Sequence, residues 1–237
     1  MNILSLNRYS AKSTVEAISK YKCTDVWLVP AMIIDVNNYI KKRSPKSSEG
    51  NQMDGKRFVK SEIDTSSLRV IGSGAAPCPV EVVKEAQELF PSLELVTIGY
   101  GATEVSAVGT YPNKNVPQSE MNDTCGQALD FVEIKVIDPK SDEIVPLGET
   151  GELCIRGHNV MMGYLDEPEK TAEVIKHGWY YTGDLATLNS TGLVKIVGRT
   201  KELIIRGGSN IYPREIEELL HQHPHVLDVA VSIHFLF

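Results

Sequence analysis

The chain has 237 residues, with 31 acidic against 24 basic side chains and a formal net charge of −7. At 42% apolar and 23% charged, it is too apolar for a disordered polymer and long enough to bury a core. Its acidic balance argues against a nucleic-acid binder, which carries a basic footprint, and no apolar run approaches the roughly 20 residues that cross a bilayer.

Residues 1–10 lack a basic region followed by an apolar stretch, so they do not read as a secretory signal. Ser13-Thr14-Val15-Glu16 fits a capping box and predicts a helix over residues 14–21. Residues 24–29, β-branched and aromatic, predict a buried strand stopped by Pro30, and residues 31–40 a helix. Residues 41–64 turn polar and read as a solvated loop, with a basic docking patch as the sharper reading. Next come a strand at 68–72, a helix at 79–90 and a strand at 93–99. Strand, helix and strand with short connections predict a parallel α/β layer.

After Cys125 the helical period fades. Short strands at 132–138, 151–157 and 193–198, parted by Gly and Pro, predict a β-rich subdomain. Residues 213–221 predict a helix: Pro213 stands near its start, Glu215, Glu217 and Glu218 follow, and His221 lies near its end. Pro224 stops it, and residues 226–233 predict a last strand. His221, His223 and His225 suggest a metal cluster, but Pro224 keeps them off one helical face. Cys23, Cys78, Cys125 and Cys154 form no C-x-x-C pair and read as reduced, partly buried thiols.

Three segments carry chemistry. Gly72-Ser73-Gly74-Ala75-Ala76-Pro77 follows a strand, where small residues let a flat ligand approach the backbone. A tight strand-to-helix turn uses the same residues and is the favoured reading of this segment alone. No lysine follows the glycines, so it is not a Walker loop. In Ile98-Gly99-Tyr100-Gly101-Ala102-Thr103-Glu104, Tyr100 offers an aromatic face, Thr103 a hydroxyl and Glu104 a hard oxygen ligand for Mg²⁺. An ordinary turn is equally weighted there. Trp179-Tyr180-Tyr181-Thr182-Gly183-Asp184 leads to Gly198-Arg199-Thr200-Lys201-Glu202. An ionised Asp184 could take both hydroxyls of a ribose, and Arg199 could hold a ribose or phosphate oxygen. The aromatic run before Asp184 is read as packing its strand.

These segments, in this order, with Gly151-Glu152-Leu153 between them and Gly207-Gly208-Ser209-Asn210-Ile211-Tyr212-Pro213 after them, resemble the adenylate-forming superfamily. Gly151 to Gly157, with Val160-Met161-Met162-Gly163-Tyr164, most resembles its medium-chain acyl-CoA synthetase branch. The resemblance implies the C-terminal part of a luciferase-like large domain and the start of a small α+β domain. The expected divisions are 1–125, an α/β subdomain; 126–197, a β-rich subdomain; and 198–237, a hinge and incomplete C-terminal domain. It further implies that fatty acid, ATP and coenzyme A give acyl-CoA, AMP and pyrophosphate. Gly74, Ala75 and Ala76 would line one side of the adenine, and Tyr100 and Gly101 the other. Thr103 would contact phosphate, Glu104 would hold Mg²⁺, and Asp184 with Arg199 would hold the ribose. Lys201 would be the hinge, Gly207 and Gly208 would border the coenzyme A tunnel, and Val29, Pro30, Ala31, Met32 and Gly99 would line the acyl pocket.

The superfamily's Ser/Thr/Gly-rich phosphate loop and its C-terminal lysine have no counterpart in these residues. The expectation is therefore a chain truncated at both ends, with impaired activity. A non-catalytic nucleotide- or partner-binding chain, and an aryl or amino-acid adenylating enzyme, stay open. The expected location is cytoplasmic or mitochondrial, not secreted.

Overall fold

The computed structural model describes residues 8–43, 63–76, 78–113, 115–206, 209–223, 225–226 and 229–232. The chain divides into two compact units: one holds residues up to Cys78 with Val82–Val96, and the other holds Pro79–Glu81 with Thr97 onward.

In the first unit, helix α1 (Ala11–Tyr21) starts one turn earlier than the capping box predicts. Ser10, in extended backbone, accepts the Ser13 N–H at 3.1 Å. Ser13 and Thr14 return hydroxyl bonds to the Ser10 carbonyl, each at 3.0 Å. Glu16 reaches Lys12, at 3.8 Å, instead of a cap. Ser10 wins because Ala11 and Lys12 are good helix formers and extend the helix toward it. Lys22, left-handed at φ 52°, ends it.

Strand β1 (Asp25–Trp27) corrects the expectation of a buried strand, since Asp25 and Trp27 are exposed and only Val26 is half-buried. It is an end strand of a three-stranded sheet. Helix α2 (Pro30–Lys41) has Pro30 in its first turn, so the residue that stops the strand also starts the helix. Strand β2 (Val70–Ser73), helix α3 (Val80–Leu89) and strand β3 (Leu95–Ile98) follow, and the sheet order is β1-β2-β3. The β1 and β2 strands pair in parallel, with Trp27 opposite Gly72. Val15, Ile18, Ile33, Val36, Leu68, Ile71, Val83 and Phe90 form fully buried apolar contacts of this unit. Residues 44–62, most of the expected loop, lie outside the described residues.

The second unit carries strands β4 (Thr110–Tyr111), β5 (Gln127–Ala128), β6 (Val132–Ile137), β7 (Gly151–Gly157), β8 (Ile175–Lys176), β9 (Trp179–Leu188), β10 (Val194–Arg199), β11 (Ile204–Arg206) and β12 (Ser209–Ile211). Helices α4 (Gln118–Met121), α5 (Pro168–Val174) and α6 (Pro213–His221) interleave with them. An antiparallel sheet runs in the order β10-β9-β7-β6, with β8 beside β9. His177 and Gly178, at φ 52° and 79°, join β8 to β9 in the two-residue hairpin that needs two left-handed positions. Val105, Val132, Val136, Leu153, Ile155, Tyr180, Ala186 and Val194 form the core on the sheet.

The strand expected to lead to Asp184 is β9, and it runs on through Gly183 and Asp184 to Leu188. The expected strand over 226–233 is corrected: its described residues, 226 and 229–232, lie in no strand. A strand needs a paired backbone, and here the Val231 N–H donates to Glu217 Oε1 of α6 at 2.8 Å instead. All four cysteines are free, with Cys78, Cys125 and Cys154 buried and Cys23 half-buried.

Candidate functional site

Register brings the first pair together. β10 opposes β9 so that Arg199 faces Asp184, after an irregularity between Ile196 and Gly198. The Asp184 side chain is only 16% exposed and lies with Oδ1 3.2 Å from Arg199 Nε, while Arg199 is 67% exposed. The Tyr100 phenol donates to Oδ2 at 2.6 Å. Burial first, and the Asp184 charge second, push the Tyr100 phenol far above its ordinary range. It therefore stays a neutral donor to the carboxylate at any physiological pH.

The backbone under Asp184 is also tied down. Its N–H donates to Thr182 Oγ1 at 3.0 Å, and that hydroxyl donates to the Leu153 carbonyl at 2.8 Å. Gly183, left-handed at φ 72°, donates its N–H to Glu152 Oε1 at 2.9 Å. A side chain at Gly183 would meet nothing within 4 Å, so glycine serves the backbone angle there and not the space.

Tyr100 sits on a turn closed by its own backbone. Tyr100 and Thr110 exchange N–H···O bonds at 3.1 and 3.0 Å, and Gly109 N–H adds one to the Tyr100 carbonyl at 2.8 Å. Ser106 and Ala107 take left-handed angles to turn the chain. A Cβ at Gly101 would lie 2.0 Å from the Ala107 carbonyl oxygen, so the turn itself requires this glycine. Gly99 packs on Tyr111, whose ring would stand 3.0 Å from an added Cβ. Thr103 and Glu104 begin a short 3₁₀ turn, Thr103–Val105; Thr103 is exposed and Glu104 half-buried.

Residues 157–164 clamp that turn. Asn159, buried, donates through Nδ2 to the carbonyls of Val105 at 3.3 Å and Val108 at 3.0 Å. Ser106 Oγ donates to the Asn159 carbonyl at 2.8 Å. Met161 N–H donates to the Glu104 carbonyl, and Tyr164 donates its phenol to Glu104 Oε1, each at 2.8 Å. Burial raises the Tyr180 phenol, and the charges of Glu104, Asp184 and Glu152 add to that. Three carboxylates thus bear on one aromatic residue, with Arg199 as the cation at Asp184.

Tyr100, Asp184 and Arg199 therefore meet, while the Glu104 carboxylate engages Tyr164. Asn159, Glu152 and Thr182 had no assigned task in the sequence, although Glu152 and Thr182 stand inside segments that carry the resemblance. Lys201 is exposed on a 3₁₀ turn, Thr200–Glu202, between β10 and β11. Gly207 and Gly208 lie outside the described residues. In the first unit, Gly74 is half-buried, Ala75 and Ala76 are exposed, and Ala75 is left-handed at φ 69°. Val29 and Ala31 are exposed, Pro30 is buried, and Met32 is half-buried and accepts the Tyr9 phenol at 3.0 Å.

A pattern of these residues is shared with known proteins: residues 3–165 match the AMP-binding enzyme family. The chain belongs to that family. This AMP-binding chain is 43% identical over 225 residues to the mitochondrial medium-chain acyl-CoA ligase ACSF2 of Danio rerio, covering 94% of itself and 34% of the relative. It is 34% identical to the 4-coumarate–CoA ligase of Pinus taeda, covering 96% of itself and 40% of that enzyme. The crystal structure of ATP-bound MatB from Rhodopseudomonas palustris superposes with a TM-score of 0.80 at 28% identity, over 96% of this chain and 41% of that one. The fold is thus that of part of an adenylate-forming enzyme, with a parallel α/β layer and β-rich structure. The chain spans between a third and about two fifths of the length of these relatives. Among its described residues no helix is long and apolar enough to cross a membrane.

Proposed function

We propose that this chain carries the nucleotide-binding part of an ATP-dependent acyl-CoA ligase acting on medium-chain fatty acids. A carboxylate oxygen of the acid attacks the α-phosphorus of ATP and pyrophosphate leaves. The coenzyme A sulfur then attacks the acyl carbon and AMP leaves. The observation that carries the reading is the Asp184 carboxylate, sunk beside β10 and held from two sides by Tyr100 and Arg199. An ionised carboxylate has about four acceptor positions, so Tyr100 and Arg199 leave room for both hydroxyls of a ribose. The acyl-CoA and medium-chain names of the relatives support this reading.

In this reading Gly74, Ala75, Ala76, Tyr100 and Gly101 border the adenine, Thr103 meets a phosphate oxygen, and Lys201 is the hinge. Gly207 and Gly208 border the coenzyme A path, and Val29, Pro30, Ala31, Met32 and Gly99 the acyl chain. Glu104 suits Mg²⁺. It is a single hard carboxylate, and among the described residues no group of three or more His, Cys, Asp or Glu could hold a metal. Mg²⁺ commonly takes one or two carboxylates and fills its shell with water and substrate phosphate. When bound, it would offset negative charge on the phosphate oxygens. Arg199 stays exposed enough to swing onto a ligand, and Tyr100 keeps the Asp184 rotamer fixed while it does. The mitochondrial relatives support a mitochondrial or cytoplasmic site of action.

The test is AMP binding by calorimetry, with octanoate-driven exchange of pyrophosphate into ATP alongside it. Saturable AMP binding that Asp184→Ala weakens supports the reading. Equal AMP affinity in wild type and variant would remove it.

A further inference from the structure

Glu104 is gripped twice by one segment sixty positions away. Met161 N–H holds its carbonyl at 2.8 Å and the Tyr164 phenol holds Oε1 at 2.8 Å. Oε2 has no donor among the described residues. Tyr164 is itself anchored. Its N–H donates to Thr171 Oγ1 at 2.9 Å, and Thr171 Oγ1 donates to the Glu167 carbonyl at 2.9 Å, at the start of α5. Gly163, at φ 156°, lets the chain pass Thr171, whose side chain would stand 2.9 Å from an added Cβ. Tyr164 is 36% exposed and lines grooves of about 420 and 510 Å³. Its hydroxyl could therefore be satisfied by water, yet it is directed to Glu104.

We propose that Tyr164 is a positioning residue for Glu104: its phenol occupies one carboxylate oxygen and fixes the rotamer, so that the other is presented in place to the Mg²⁺ of a bound nucleotide. The inference rests on the reading of Glu104 as the Mg²⁺ carboxylate. Partners of a metal-ligating carboxylate restrict its orientation before the metal arrives, and losing one lowers metal affinity or activity by roughly 10- to 100-fold. Exposure places Tyr164 at the low end.

The experiment is ATP binding by calorimetry in Mg²⁺ and in EDTA, for wild type, Glu104→Gln, Tyr164→Phe and Thr171→Val. Tyr164→Phe should weaken binding about tenfold in Mg²⁺ and leave binding in EDTA unchanged. Thr171→Val, which loosens the anchor without touching Glu104, should act in the same direction and less. If Glu104→Gln removes the Mg²⁺ dependence while Tyr164→Phe and Thr171→Val keep it in full, Tyr164 has no positioning role and the metal reading stands. If Tyr164→Phe weakens binding equally in Mg²⁺ and EDTA, its role is structural and the proposal fails. If Glu104→Gln leaves the Mg²⁺ dependence intact, the metal reading itself fails and takes the proposal with it.

Discussion

The turn at 99–109 and the turn at 73–76 both follow a parallel-layer strand and both are built from small residues, yet they are held in opposite ways. In the first, Gly101 answers Ala107 inside the turn, Ser106 answers Asn159 of its clamp, and Tyr100 answers Asp184 of β9. In the second, Ser73 Oγ is buried without a partner among the described residues, and Ala75 takes a left-handed angle. Even the close approach at Gly72 is internal, because an added Cβ would lie 2.8 Å from the Trp27 ring on the neighbouring strand. Small residues after a strand therefore do not by themselves signal a ligand. What separates a built turn from an open one is whether its polar groups are already spoken for.

The largest effect expected on this comparison is at Asp184. Asp184→Ala removes the carboxylate acceptor of the half-buried Tyr100 hydroxyl, a hydrogen bond to a charged group that contributes about 1.5–3 kcal/mol. The exposed Arg199 adds less than about 1 kcal/mol. Denaturant unfolding should show this loss, and AMP affinity should fall at least about tenfold, since a hydrogen bond to a charged group contributes about 1.5–3 kcal/mol. Asp184→Asn keeps an acceptor for Tyr100, so it should recover most of the stability and little of the binding. If both variants unfold alike, the Tyr100 bond is not what holds the first turn.

Asn159→Ala comes next. It removes two hydrogen bonds to the Val105 and Val108 carbonyls, and a loss of about 1–2 kcal/mol is expected, moderated because Asn159 Oδ1 has no partner among the described residues. Hydrogen exchange should rise across residues 104–109 and stay constant in residues 70–76. Equal exchange in both turns would erase the distinction drawn here.

A pH series probes the sheet behind the first turn. Burial, and then the charge of Glu152, pushes the Cys154 thiol up to about 12 from an ordinary 9.0. The folded state keeps a proton that the unfolded chain releases. That contribution is intact below pH 9 and is lost as pH rises from 9 through about 12. Cys154→Ala should flatten the alkaline decline of the unfolding midpoint without abolishing it, because burial also raises Cys125. An unchanged slope would sink this assignment.

The smallest effect belongs to the open turn. A left-handed angle costs a non-glycine residue roughly 1–2 kcal/mol, and glycine returns part of that as unfolded-chain entropy. Ala75→Gly should therefore stabilise by about 0.5 kcal/mol or be neutral. Clear destabilisation would mean that Ala75 is packed and the turn is not open.

Much of the local architecture was legible. The spans of β7 and α6 agree with the sequence to the residue, because Gly and Pro punctuate both ends. The helix α1 was legible in type and misplaced by a turn, since Ser10 and Ser13 are both competent caps and only hydrogen-bond geometry chose between them. The strand leading to Asp184 was legible from its aromatic run but not its continuation to Leu188, and the expected strand at 226–233 had the right composition but no paired backbone among its described residues. Asn159 and Tyr164 could not be found from spacing, because their partners at 104–108 lie more than fifty positions away.

What the sequence determined by itself was the chemical inventory and the short-range elements: which carboxylates, aromatics and glycines exist, and which short segments favour helix or strand. Those depend on caps, breakers and periodicity within a few residues. What only the tertiary structure decided was pairing. Tyr100 meets Asp184 across 84 positions because strand register and two left-handed turns set side-chain direction. A one-residue slip in either would send the carboxylate to the other face of the sheet.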